Sequence, residues 1–153
     1  MNLDSLLSDD QRMIADSARR FAERHGGPDR LRKIRDNKQG YDTAALRAAA
    51  DAGWIALLAP ESCGGAELGP GSLCLIAEAL GNQLCAAPLA PAAAAALALA
   101  QSSQASHKTL LDELTRGEKL VLPAVRCGNS TLNLVKDAAG NWTISGHCDG
   151  MPA

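Results

Sequence analysis

Apolar side chains recur at helical spacing in five segments of the chain, and this pattern predicts five helices. The first covers residues 8–25, where Ser8 and Gln11 can form a capping box. The second follows Asp42, whose carboxylate can cap a helix N-terminus. The third is predicted at residues 70–85 and the fifth at residues 106–116. The fourth is predicted to start between Pro88 and Pro91.

The apolar stripes of these segments are expected to face one core, and the third predicted helix has the strongest stripe. An alanine-rich face at residues 92–96 is typical of tight helix packing, although it would also let a flat ligand approach closely. The stripe residues are Leu7, Ile14, Ala18, Phe21 and Ala22; Leu46, Ala49 and Ala50; Leu73, Ile76, Ala77, Leu80 and Leu84; and Leu110, Leu111 and Leu114.

The connector between the second and third predicted helices is rich in residues that stop regular structure. Gly53 can take a positive φ angle and end the second helix. The apolar run that begins at Trp54 is followed by Pro60, and the pair Gly64 and Gly65 permits a tight reversal of the chain. We expect this connector to be buried, with Trp54 beside the loop at Pro60, and a buried connector can also shape a binding cleft.

The pattern changes after Glu118. Residues 120–122 have strand character, although Pro123 confines a strand there to a sheet edge or a bulge. Residues 131–147 alternate apolar and polar side chains on either side of a turn at 137–141, so we predict a β-hairpin. One face of this hairpin carries four large apolar side chains, Leu132, Leu134, Trp142 and Ile144.

Such a short sheet has unpaired edges and an open apolar face, which monomeric proteins seldom leave to water. The strands would pair with a second copy of the chain, be disordered, or be covered by a segment missing from this sequence; we favour self-association. Taken together, the patterns predict a mainly α fold. An antiparallel helical bundle over residues 1–118 would be followed by a short, incomplete antiparallel β segment at residues 119–153, the start of a β-domain.

Length and charge restrict the class of protein. The chain has 153 residues, about one domain, and a formal net charge of −2 that gives no general attraction to nucleic acid or to an anionic membrane. No apolar run is long and bulky enough to span a bilayer, and the N-terminus lacks a signal-peptide pattern. We therefore expect a cytoplasmic protein that binds neither nucleic acid nor membrane.

A self-sufficient catalytic or metal-binding set is not visible in the sequence. Five cysteines without a Cys-x-x-Cys pair are typical of free thiols, and we expect Cys74 and Cys85 to share one helix face in the core. The three histidines, His25, His107 and His147, are interpreted as surface residues. No residue is assigned as catalytic or as a metal ligand.

Basic side chains cluster at residues 29–38, where Asp29 and Asp36 interleave with them. Such a cluster could bind phosphate, but the interleaved carboxylates favour its interpretation as solvated surface. Glu78 is interpreted as a surface or capping residue rather than as an acid catalyst.

Several short motifs follow one another along the chain. An Ala-Gly-Trp run and a Pro-Glu-Ser-Cys-Gly-Gly run lie within residues 52–65, and Asp-Asp-Gln at 9–11 precedes Ala-Arg-Arg-Phe-Ala at 18–22. Downstream are Ala-Glu-Ala-Leu-Gly at 77–81 and Leu-Thr-Arg-Gly-Glu at 114–118. In order and approximate spacing over nearly the whole chain, these motifs resemble the N-terminal helical domain of the acyl-CoA dehydrogenases.

The resemblance implies a flavin enzyme. Members of that family remove hydrogens from the α and β carbons of an acyl-CoA thioester, with a carboxylate taking the α-proton and FAD accepting the β-hydride. Their N-terminal helices wall the acyl cavity, while a middle β-domain and a C-terminal bundle hold most of the flavin, usually in a tetramer. By this resemblance residues 84–93 would border the acyl chain, with no single residue assigned to substrate or FAD.

Two departures from the family pattern limit that implication. After the Gly-Glu step the family commonly continues with Thr-Glu-Pro-x-Ala-Gly-Ser-Asp, whereas residues 124–130 read Ala-Val-Arg-Cys-Gly-Asn-Ser. The C-terminal bundle that carries the catalytic carboxylate is absent from this sequence. We therefore expect the N-terminal part or a subunit of such an enzyme, inactive and without FAD on its own, in a homo- or hetero-oligomer. The alternative is a non-catalytic helical binding module that keeps the family's packing.

Overall fold

Helices account for most of the chain between residues 9 and 115, and a β-hairpin follows them. A computed structural model describes residues 7–124 and 127–149, with the backbone alone at 127–130 and 148–149. The mainly α architecture predicted from the sequence is confirmed. Its elements are α1 (Asp9–His25), α2 (Pro28–Asp36), α3 (Thr43–Asp51), α4 (Pro70–Asn82), α5 (Leu89–Ala100), α6 (Ala105–Thr115), β1 (Cys127–Lys136) and β2 (Trp142–Asp149).

Two predicted helix starts are confirmed in atomic detail. At the start of α1 the amide of Gln11 donates to the Ser8 hydroxyl at 3.2 Å, and the amide of Ser8 donates to the Gln11 side chain at 3.0 Å. Asp42 caps α3 by accepting from the amide of Ala45 at 3.0 Å. Because a helix N-terminus leaves its first amides without partners, each such cap contributes on the order of 1 kcal/mol. At the other end of α3, Gly53 takes the expected positive φ angle, 75°.

The charged segment after α1 forms a helix that the sequence pattern does not predict. Gly26 and Gly27 separate it from α1, and Pro28 at its first position has a φ angle suited to a helix start. α2 has nine residues and one buried side chain, Ile34, so its apolar periodicity is too short to detect. Its outer face carries exposed ion pairs, in agreement with a solvated surface. These join Arg32 to Asp29 at 2.6 Å and Arg35 to Asp36 at 2.8 Å.

α4 ends three residues earlier than predicted, where the chain turns sharply. The amide of Cys85 donates to the carbonyl of Leu80 at 2.9 Å, which closes the helix end. In this turn Leu84 takes a φ angle of 53° and its side chain is 51% exposed, so its assignment to the buried stripe is wrong. Ala77 is also exposed. The prediction that Cys74 and Cys85 share one helix face in the core is wrong too. Cys74 is exposed, and Cys85 is half-buried and lies beyond the end of α4.

The core lies where α1 packs along α4 and α5 packs along α6. Trp54 is 7% exposed, and its ring centroid lies 4.8 Å from that of Phe21 on α1, which confirms the predicted burial. The connector turns back at Gly65, whose amide donates to the carbonyl of Pro60 at 3.1 Å. Burial of apolar side chains is the main favourable contribution to such a fold. Other core residues are Leu46, Ile55, Leu57, Ile76, Leu80, Leu89, Leu111 and Leu114.

No strand forms at residues 120–122, where the sequence pattern indicates one. Leu120 and Val121 are half-buried and pack against the helical core, so their apolar side chains are used there rather than in a sheet. The prediction is wrong because a short apolar run looks the same in a strand and in an extended segment that lies on a core.

The predicted β-hairpin is confirmed. β1 and β2 pair antiparallel, and the amide of Asp137 donates to the carbonyl of Asn141 at 2.9 Å across the turn. The register places four large apolar side chains on one face, as predicted, and all of them are exposed. They are Leu132 at 48%, Leu134 at 58%, Trp142 at 61% and Ile144 at 70%.

In the described part of the chain, no helix combines the length and the apolar character needed to cross a membrane. The same residues contain no group of three or more His, Cys, Asp or Glu side chains placed to hold a metal ion. The side chains of Cys127 and Cys148 lie outside the described residues.

Candidate functional site

Residues 84–93 connect α4 to α5 and include the first turn of α5; we call them the 84–93 wall. They are the part of the helical region that the resemblance places next to a substrate. Leu84 and Ala90 are exposed, whereas Leu89 and Ala92 are buried. The wall is therefore fastened to the core on one side and presents apolar residues on the other.

Backbone hydrogen bonds fix Gln83, which directly precedes the wall, to the corner between α1 and α2, and fix the start of the wall to the start of α3. The amide of Gly27 donates to the carbonyl of Gln83 at 2.5 Å, and the amide of Asp42 donates to the carbonyl of Ala86 at 2.8 Å. Gly26 packs so closely on this segment that an added Cβ atom would lie 2.3 Å from the Gln83 carbonyl oxygen. A side chain at this position would push the wall away from α1, so glycine sets their separation.

A half-buried ion pair, which we call the Arg30–Asp42 bracket, supports the same segment. The Asp42 side chain is 7% exposed and accepts from Nε of Arg30 and from the amide of Ala45. Burial raises the pKa of the Asp42 carboxyl, but hydrogen bonds from Arg30 and from the amides of Ala45 and Ala44 outweigh it and hold the pKa below its ordinary value of 3.8. Asp42 is therefore ionised at neutral pH. Asp42 therefore connects three parts of the chain. Its carboxylate binds Arg30 of α2 and caps α3, and its backbone amide donates to the wall at Ala86.

The sequence pattern identifies only half of this bracket. It predicts Asp42 as a helix cap, which is confirmed, but it places Arg30 in a solvated basic cluster. The two residues stand twelve positions apart with a turn between their helices, so no helical or strand spacing indicates their contact. The available signal is Gly-Gly-Pro at residues 26–28, which indicates a new helix start and hence a corner.

Two depressions in the surface flank α2. A groove of about 290 Å³ lies beside the wall, where the exposed Leu84 meets Leu31 and Pro28. An open cavity of about 600 Å³ lies at the α1–α2 corner and reaches the Arg30–Asp42 bracket. Neither is lined by a histidine, and the carboxylates of the cavity, Asp29 and Asp42, are already paired with arginines. These depressions therefore lack an available general base.

The three histidines do not come together at the wall. His25 is half-buried at the end of α1. His107 is half-buried at the start of α6, where its Nδ1 lies 2.6 Å from the hydroxyl of Ser102. His147 is exposed on β2, as its interpretation as a surface residue requires. Glu78 is exposed on α4.

A sequence model of the acyl-CoA dehydrogenase N-terminal domain matches residues 8–118, most of the chain. The chain belongs to the acyl-CoA dehydrogenase family. Nine chains among solved structures also match. One, a variant of the steroid acyl-CoA dehydrogenase Tcur3481-Tcur3483, has a TM-score of 0.79 and 29% sequence identity over 94% of this chain. The match spans 41% of that protein's chain. No curated protein matches.

Acyl-CoA dehydrogenases bind FAD, and the described hairpin of this chain offers no enclosed site for a flavin ring. A flavin ring requires an enclosed slot with hydrogen-bonding groups around it. The apolar face of the hairpin is instead open, with Trp142 61% exposed and Ile144 70% exposed. Residues 120–123 are half-buried against other parts of the chain. We therefore assign no step of the family's flavin chemistry to this chain.

Proposed function

We propose that this chain is the N-terminal part, or a separate subunit, of an acyl-CoA-dehydrogenase-like flavoprotein that removes hydrogens from the α and β carbons of an acyl-CoA thioester. Residues 1–118 form its helical domain and residues 119–153 begin its β-domain. The observation that carries the proposal is the composition of α5. Its twelve residues include no polar side chain. They lie within the segment that matches the acyl-CoA dehydrogenase N-terminal domain, which by resemblance walls the acyl cavity.

The outer face of α5 is suited to contact with an apolar surface. A helix that is apolar on every side is normally buried, yet Ala90, Ala94 and Ala98 are exposed here. Their small side chains leave room for a wide, flat acyl group. Because one solved structure similar to this chain is a steroid acyl-CoA dehydrogenase, we include a bulky, ring-containing acyl group among the proposed substrates.

Catalysis requires FAD and a carboxylate base held against the same substrate carbons, and the described residues form neither site. We propose that another segment or another chain supplies both, within a homo- or hetero-oligomer, and that this chain is inactive alone. Purified by itself, it should retain no flavin absorbance after gel filtration; a retained flavin band would overturn this part of the proposal. We also propose a cytoplasmic location, since free thiols are typical of a reducing compartment.

A chimaera tests the wall directly. Residues 7–118 of this chain would replace the matching segment of the steroid acyl-CoA dehydrogenase, and dehydrogenation would be followed with a ring-containing and a short straight-chain acyl-CoA. Ala90→Trp should raise KM for the ring-containing substrate several-fold more than for the short one, because Ala90 lies on the exposed side of the wall. Ala52→Trp, at an exposed position beyond α3, is the matched control. Equal effects of the two substitutions would exclude the wall assignment.

The open hairpin face favours a second candidate, a non-catalytic binding module that retains the family's packing. Such a module would bind a partner through the apolar face of residues 131–147 and would have no role in an acyl pocket. A chimaera that folds, binds FAD and yet shows no dehydrogenation would favour this candidate. An active chimaera would exclude it for the helical domain.

A further inference from the structure

His25 occupies an unusual place at the end of α1. Its ring centroid lies 4.4 Å from that of Phe21, which in turn packs on Trp54. Nδ1 of His25 is buried and has no hydrogen-bond partner among the described residues. A buried imidazole nitrogen without an acceptor nearby is poorly placed to hold a proton, since the charged ring would lose its hydration without compensation.

The charges around the ring favour the same neutral form. They come from Arg24 on α1, Arg30 on α2 and Asp42 at the start of α3. Burial lowers the pKa of His25 below its ordinary value of 6.5, and Arg30 and Arg24 lower it further, while Asp42 opposes them. The wall contributes one titratable group, the half-buried thiol of Cys85, whose pKa is raised by burial, so it stays uncharged.

We propose that His25 is an acid-sensitive latch: the neutral ring holds the α1–α2 corner against the 84–93 wall, and protonation releases that corner. The next two residues, Gly26 and Gly27, make close contacts with Gln83, the residue that directly precedes the wall. A protonated ring must either stay buried beside two arginines or swing out to water. Either response displaces the backbone that carries these contacts.

The direction of the pH effect follows from the lowered pKa. Well above pH 6.5 the ring is neutral in the folded and in the unfolded chain, so it makes no pH-dependent contribution. As the pH falls below 6.5, the unfolded or released form takes up the proton first, and the closed corner becomes less favourable. The loss is complete once the pH lies below the pKa of the folded form.

Amide hydrogen exchange, measured by NMR on the full chain, reports how often the α1–α2 corner opens. Measurements at about pH 7.5 and about pH 5.5 lie on either side of the range in which histidine titrates. After correction for intrinsic exchange, protection of the Gly27 and Asp42 amides should fall several-fold more than that of Leu114 in the core of α6. His25→Gln, which carries no titrating ring, should abolish this difference. Equal losses at all three amides, or the same local loss in His25→Gln, would overturn the latch.

A titration of the wild-type His25 ring by NMR needs no variant and so stays informative if His25→Gln fails to fold. The ring should titrate below 6.5, with the amide shifts of Gly27 and Asp42 following the same curve. A ring that titrates at or above 6.5, or amide shifts that do not follow it, would also overturn the proposal.

Discussion

Trp54 and Trp142 lie in two regions of the chain that differ in whether large apolar side chains are buried. Trp54 is 7% exposed and packs on Phe21, whereas Trp142 is 61% exposed and lies with Nζ of Lys136 5.4 Å from its ring centroid. Both regions have regular apolar spacing. The helices cover one another's stripes, while a two-stranded sheet has no second layer in the described chain. Periodicity thus specifies the element, and a facing layer decides whether its apolar side is buried.

Replacing each tryptophan by alanine should give the largest difference in stability between the two regions. Trp54→Ala should lower the free energy of unfolding by about 3–5 kcal/mol, because a large aromatic ring is lost from a packed core. Trp142→Ala is the matched control and should change it by less than about 0.5 kcal/mol in dilute solution, because its ring is mostly hydrated. Chemical denaturation followed by circular dichroism measures both. A loss below about 1 kcal/mol for Trp54→Ala would show that Trp54 is not a core residue.

Two glycines offer a comparison within the helical region. Gly26→Ala should destabilise the fold by about 1–3 kcal/mol, since the new Cβ would overlap the Gln83 carbonyl. Gly81→Ala, inside α4 with nothing within 4 Å of the added Cβ, should stabilise it by about 0.5–1 kcal/mol. The same denaturation experiment gives both values. If the two substitutions shifted stability in the same direction, the close contact at Gly26 would be refuted.

The Arg30–Asp42 bracket predicts that the stability of the fold depends on pH in acid. Asp42→Asn keeps a side chain able to cap α3 and should cost about 1 kcal/mol near pH 7, a modest value because Arg30 is partly exposed. The lowered pKa of Asp42 means that its stabilisation is present above 3.8 and is lost as the pH falls through the folded value. Asp42→Asn should remove that acid-dependent loss. Parallel curves for wild type and variant below pH 4 would argue against the bracket.

The hairpin should show the smallest effect on folding and a large effect on association. Replacing Trp142 and Ile144 together by serine and threonine should leave the unfolding free energy within about 0.5 kcal/mol, but it should abolish the self-association that we predict. Val135→Thr, on the opposite face of β1, is the control that should leave association unchanged. Light scattering at several concentrations measures the outcome. A monomeric wild-type chain with protease-resistant strands would contradict the prediction.

Features that depend on neighbouring residues could be predicted from the sequence. The Ser8–Gln11 capping box, the helix end at Gly53 and the hairpin turn at 137–141 each involve contacts within a few positions. Residues 84–93 were identified only by resemblance, and their attachment to the α1–α2 corner could not be predicted because Gly26 and Gln83 are distant in sequence. The turn at Leu84 is also hidden, since a leucine at positive φ costs roughly 1–2 kcal/mol and is normally avoided.

The alanines on the outer face of α5 affect how readily and how strongly another surface can bind to this helix. Alanine has no side-chain rotamers, so almost no side-chain conformational entropy is lost when another surface covers Ala90, Ala94 and Ala98. A lysine- or methionine-rich face of the same area would lose roughly 1–2 kcal/mol for each side chain that became fixed. The exposed side of α5 is therefore already ordered before anything touches it, and repeated covering and uncovering would require no rearrangement of its side chains.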